Sequence, residues 1–195
     1  MKKRGLLVGA VLVLLLSGCA RQTDQFDELI EDTVVIKNDG IVLRNVGWFK
    51  SEEKVMKAYN ADASSYETNE ESGTGRLTVN PVLKDLENTG ITVEQVMSFA
   101  GERLYRMEYF ISTNSEAEYL DCLDSLADQL EDLIPNREDK SALDFEALEN
   151  GTSQVTWTAS DESSIAVHPF KVSGDPAYII IVALDSPVVE EFPSK

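Results

Sequence analysis

Two hydrophobic rhythms run along this chain. A period of two marks strands and a period near 3.6 marks helices. Val34–Lys37 and Ile41–Val46 are β-branched runs around Asp39-Gly40, a hairpin signal. Ser51 followed by Glu52 and Glu53 reads as a helix N-terminus, and the spacing predicts a helix over Glu52–Tyr59 with Val55, Met56 and Tyr59 inward. Asn60–Gly75 is polar and acidic and reads as the longest mobile loop, with a short strand Arg76–Val79 after it. Asn80-Pro81 and Gly90 bracket a predicted short helix, Pro81–Thr89.

Ile91–Ser112 fits two patterns. Val93, Val96, Met97, Ala100 and Leu104 roughly follow helical spacing. The alternation fits better: Ile91, Val93, Met97 and Phe99 share one face, interrupted by Gln95, and Tyr105, Met107, Tyr109 and Ile111 alternate again. It predicts a hairpin of Thr92–Phe99 with Arg103–Ser112. Ser115–Ile134 carries a capping box, Ser115-Glu116-Ala117-Glu118, and an apolar stripe of Leu120, Leu123, Leu126, Ala127, Leu130, Leu133 and Ile134, stopped by Pro135. A short surface helix is expected over Asp139–Glu149. Strands follow at Ser153–Ala159, Ser164–Lys171 and Ala177–Leu184. Tyr178–Val182 is apolar on both faces and is expected to be a central strand covered by helices on one side. The fold class is α+β: two layers, an antiparallel sheet with helices packed on one face.

The first 19 residues are of another kind. Lys2, Lys3 and Arg4 precede an apolar run, Leu6–Leu16, that is the length of a signal-peptide core and too short to span a bilayer. Leu16-Ser17-Gly18-Cys19 then resembles the lipobox of bacterial lipoproteins. That resemblance implies cleavage before Cys19 and a diacylglyceryl group on its sulfur, with further acylation, palmitate among the candidates, of the new N-terminus. The expected organisation is a signal peptide over 1–18, a lipidated tether over 19–33, one domain over 34–187 and a tail over 188–195. Within the tether, Phe26, Leu29 and Ile30 fall at i, i+3, i+4 and predict a short docking helix. The expected location is the cell envelope: the outer face of the cytoplasmic membrane, or an outer membrane if the source has one.

Charge sharpens this picture. The chain holds 17 Lys plus Arg against 35 Asp plus Glu; removing Lys2, Lys3 and Arg4 leaves 14 against 35, a formal −21. Such a balance opposes nucleic acid and any electrostatic grip on anionic lipid, and it predicts a domain that stands off from its membrane. It favours solubility, a basic partner or loosely held divalent cations. The 177 residues from Cys19 onward suit one domain with a packed core.

Candidate chemistry is sparse. His168 is the one histidine; it lies beside Pro169 within a strand pattern and reads as an edge residue. Cys122 is left without an internal disulfide partner once Cys19 is lipidated, and beside an apolar stripe it reads as a semi-buried, inert thiol. One His and one thiol do not make a zinc site. Asp121, Asp124, Asp128 and Asp132 recur along one helix face; they read as a solvated face or a weak collector of calcium, with no EF-hand loop in the sequence. G-x-S-x-G, phosphate-loop and dinucleotide signatures do not occur. Trp48-Phe49 is a candidate contact pair.

The order of elements resembles small secreted or lipid-anchored domains of the beta-lactamase inhibitor protein kind, a group that includes the small lipoprotein of the outer-membrane barrel-assembly machinery. The matching residues are Trp48, Ser51-Glu52-Glu53-Lys54-Val55, the stretch Phe99-Ala100-Gly101-Glu102-Arg103-Leu104-Tyr105, and the Ser115–Ile134 helix, within residues 41–184. Phe49-Lys50 stands where that group usually has Gly-Met, and Pro81–Gly90 looks like an insertion. The resemblance implies a two-layer domain that binds proteins and has no catalytic residues. The expectation is therefore a non-enzymatic, membrane-anchored binding or scaffolding module with an envelope protein as partner, no nucleic acid and no cofactor. The alternative is a small-ligand or cation-binding lipoprotein for transport or sensing.

Overall fold

The computed structural model describes residues 25–134 and 154–187. The lipobox, the tail and the expected helix over Asp139–Glu149 lie outside them. Phe26–Glu28 forms a 3-10 turn that runs into α1 (Leu29–Thr33). The predicted docking occurs: Phe26, Leu29 and Ile30 are all buried in the core.

Strands β1 (Val34–Lys37) and β2 (Gly40–Leu43) pair antiparallel as a separate hairpin. Its turn is Asn38-Asp39, one residue earlier than Asp39-Gly40. Both residues hold positive φ, 51° and 58°, as a type I′ turn requires, and Asn and Asp accept that region more readily than other non-glycine residues. Gly40 serves the strand instead, because a Cβ there would run into the Asp161 carboxylate.

Helix α2 (Glu52–Tyr59) matches its predicted span, with Val55 buried and Met56 and Tyr59 against the core. Ser51 stands at its N-cap without a side-chain capping bond. The predicted loop Asn60–Gly75 is corrected. Tyr66–Asn69 forms β3, which pairs with β4 (Thr74–Val79). The strand was hidden because three of its four residues are exposed and polar, as an edge strand permits. Tyr66 anchors it by packing edge-on against Phe99, ring centroids 5.6 Å apart. The Asn69 side chain closes the turn by accepting from the Glu71 and Ser72 amides. The predicted helix Pro81–Thr89 is also corrected: this stretch holds only a 3-10 turn, Lys84–Leu86.

Strands β5 (Thr92–Ala100) and β6 (Arg103–Thr113) form the predicted hairpin. Gln95, which interrupts the alternation, does face the core: its Nε2 donates to the Tyr109 hydroxyl at 2.8 Å, and that hydroxyl also bonds Thr33 Oγ1 at 2.7 Å. Tyr105 leaves the predicted inward row. A bulge pairs Phe99 with Leu104 and Ser98 with Arg106, so Tyr105 is the extra residue and Leu104 takes the buried place.

Helix α3 (Glu116–Leu133) follows, with the Ser115 hydroxyl accepting from the Glu118 amide. The capping box is only half made, because the Glu118 carboxylate turns to the Thr113 hydroxyl and the Gly90 amide. The buried face is Tyr119, Cys122, Leu123, Leu126, Ala127, Gln129 and Leu130. Leu120 is instead at the surface, displaced by Tyr119, whose ring packs 5.0 Å from that of Tyr178. Strands β7 (Val155–Thr158), β8 (Ser164–Lys171) and β9 (Tyr178–Asp185) complete an antiparallel sheet ordered β3-β4-β5-β6-β9-β8-β7. The architecture is α+β. Helix α3 packs on β6 and β9, and α1 packs on α3.

Candidate functional site: the second face of the sheet

Successive side chains on a strand point to opposite faces. Ile111, Tyr109, Met107, Ile180, Val182, Leu184, Ile165 and Val167 belong to the core under the helices. Their neighbours therefore form the other face, where no helix among the described residues packs. Across it, register places Phe110 beside Ile181 and Ile181 beside His168, with Ile179 beside Phe170 in the next row. Phe170 is 42% exposed, while Phe110, Ile179, Ile181 and His168 are half-buried. The His168 and Phe170 rings are nearly parallel, 7° apart with centroids at 6.4 Å.

Charge is balanced within the face, where Glu94 stands in the Phe110 row and Arg106 pairs with Asp185 two rows further along. Arg106 bonds Glu108 at 3.0 Å and Asp185 at 3.2 Å, and Arg76 stands 3.8 Å from Glu94. Partial burial pulls the His168 pKa below its ordinary value and the Arg106 guanidinium adds to this, which favours the neutral imidazole. The result is an apolar, aromatic patch with a self-compensated polar border on a chain whose formal charge is −18. It can contact another surface without demanding a charged partner.

The predicted site residues fall elsewhere. Trp48 is half-buried; its Nε1–H donates to the Ile41 carbonyl at 2.8 Å and its ring packs on the core. Phe49, in the left-handed region at φ 60°, is half-buried, and its amide donates to the Leu104 carbonyl at 2.9 Å. The pair thus ties the β1–β2 hairpin to β6. His168 lies on β8, which stands between β9 and β7, but the β7 pairing stops at Val167, so among the described residues His168 pairs only with Ile181 of β9 and keeps an edge position. Leu16, Ser17, Gly18 and Cys19 lie outside the described residues. Cys122 is buried, and burial together with Asp121 pushes its thiol up to about 12.

The aspartate row is joined by Asp27 and Glu31 along an open groove of about 540 Å³ between the N-terminal segment and α3. Asp27 accepts there from the Ser125 hydroxyl at 2.8 Å. Among the described residues, no group of three or more His, Cys, Asp or Glu side chains is arranged to hold a metal ion. No helix among them is long and apolar enough to cross a membrane.

The sequence held one signal for the second face of the sheet. Tyr178–Val182 is apolar on both sides, and only one side is needed for the core. No protein-family model, curated protein or solved structure matches the chain.

Proposed function

We propose that this chain is a lipid-anchored, extracytoplasmic bacterial lipoprotein that binds another envelope protein and performs no catalysis. One observation carries the reading: Lys2, Lys3 and Arg4, the apolar run and Leu16-Ser17-Gly18-Cys19 together make a lipoprotein leader. The anchor explains why an acidic domain resides at a membrane it does not attract electrostatically. A diacylglyceryl group on Cys19 with a third chain on the new N-terminus binds firmly, at roughly 0.8 kcal/mol per buried methylene.

The sheet face on which no helix among the described residues packs supports the second half of the reading. Phe110, Ile179, Ile181 and Phe170 form an apolar cluster rimmed by paired charges, which is the anatomy of a protein contact. The partner this chemistry fits is an uncharged, apolar protein surface.

Replacing the anchor tests the reading. Cys19→Ala is expected to abolish incorporation of labelled fatty acid and to move the protein from the membrane to the soluble or uncleaved-precursor fraction. Unchanged lipid labelling contradicts it.

A further inference from the structure

The N-terminal segment is clamped from within. Gln129 of α3 accepts from the Ile30 amide at 2.8 Å and donates to the Phe26 carbonyl at 2.9 Å. The Phe26 amide donates to Asp85 at 2.5 Å, and Phe26, Leu29 and Ile30 are buried. The chain therefore enters the domain at Phe26, on the helical layer. If Cys19 carries the lipid, only the residues between 19 and 26 are left to span the gap, a reach of about 25 Å at most. The sheet face that no helix among the described residues covers lies on the opposite side.

The charges beside this entry point matter. Asp27, Glu31, Asp121, Asp124, Asp128 and Asp132 line the groove next to it. An anionic bilayer repels this surface within a Debye length, about 8 Å at physiological ionic strength. Repulsion lifts the domain while the tether holds it by its helical layer. The repelled groove lies at the attachment point itself, so the orientation follows from where the short tether enters the domain and not from the repulsion.

We infer that the anchored domain is oriented, with the acidic helical layer toward the bilayer and the second sheet face directed away from it into the envelope space. This rests on the anchor proposed above. The orientation places the apolar patch where a partner protein reaches it, instead of against headgroups.

The test uses the lipidated full-length protein, in a Cys122→Ala background, on vesicles of mixed neutral and anionic phospholipid carrying a headgroup energy-transfer acceptor. A donor is placed at Asp124→Cys on the helical layer or at Phe170→Cys on the sheet face, and flotation is measured on the same samples. The expected result is that both proteins float and that transfer from Phe170→Cys is lower than from Asp124→Cys. Floating protein with equal or reversed transfer overturns the orientation alone. Protein that does not float overturns the anchor and the orientation with it.

Discussion

Buried polar side chains carry the most specific information at the scale of single residues. Gln129 satisfies one backbone donor and one backbone acceptor of the N-terminal segment. Gln129→Ala leaves the Ile30 amide without this acceptor, at about 1–3 kcal/mol for a buried group, while the Phe26 carbonyl keeps the Leu29 amide. Chemical denaturation is expected to show that loss, and hydrogen exchange is expected to show faster exchange at Ile30; an unchanged exchange rate contradicts the clamp. Tyr119 is the reverse case. It is 1% exposed, and its hydroxyl has no hydrogen-bond partner among the described residues. Tyr119→Phe is therefore expected to leave stability unchanged or to raise it by about 1 kcal/mol. Burial also sets the alkaline limit. It pushes Cys122 from 9.0 to about 12, and it pushes Tyr59 from 10.0 to about 12 against its hydrogen bonds to Asn45 and Gln95. Tyr109 moves upward as well, for the same reason, with Tyr59 nearby adding to the shift. Each group is neutral in the fold and ionises more readily when unfolded, so its stabilisation is complete below its unfolded pKa. Thermal melting temperature is expected to fall as pH rises from about 9 toward 12, and Cys122→Ala is expected to soften the first part of that fall.

Legibility in the sequence varied by element for physical reasons. The β5–β6 hairpin, α2, α3, β8 and β9 were readable because each buries one periodic face. Strand β3 was not, because an edge strand owes its place to backbone pairing with β4 and needs only Tyr66 as an apolar anchor. Pro81–Thr89 carried start and stop signals of a helix but only Leu83 is buried with Leu86 alongside, too little apolar surface to hold one. Tyr105 shows how one bulge moves an alternation by a residue. Among candidate site residues, Trp48 and Phe49 were visible as large aromatics, but their structural roles depend on Ile41 and Leu104, and nothing in their own neighbourhood announces that. At this scale the cap of α3 is testable: Ser115→Ala removes the bond to the Glu118 amide and is expected to cost about 1 kcal/mol in denaturant unfolding.

Asymmetry between the two layers governs the whole molecule. One side of the sheet is filled by α1, α2, α3 and the β1–β2 hairpin; the other presents Phe110, Ile179, Ile181 and Phe170 with paired charges around them. Polar replacement within a contact surface removes its partner, whereas a patch that serves only the fold has no partner to lose. The deciding measurement is site-directed photocrosslinking of the lipidated protein in its native membrane, with the crosslinker at Phe170 or at Asp124, with and without Ile181→Glu. The account predicts one abundant envelope protein crosslinked from position 170, none of it from position 124, and loss of that product in Ile181→Glu while membrane attachment is kept. A product that forms equally from both positions, or that survives Ile181→Glu, contradicts it.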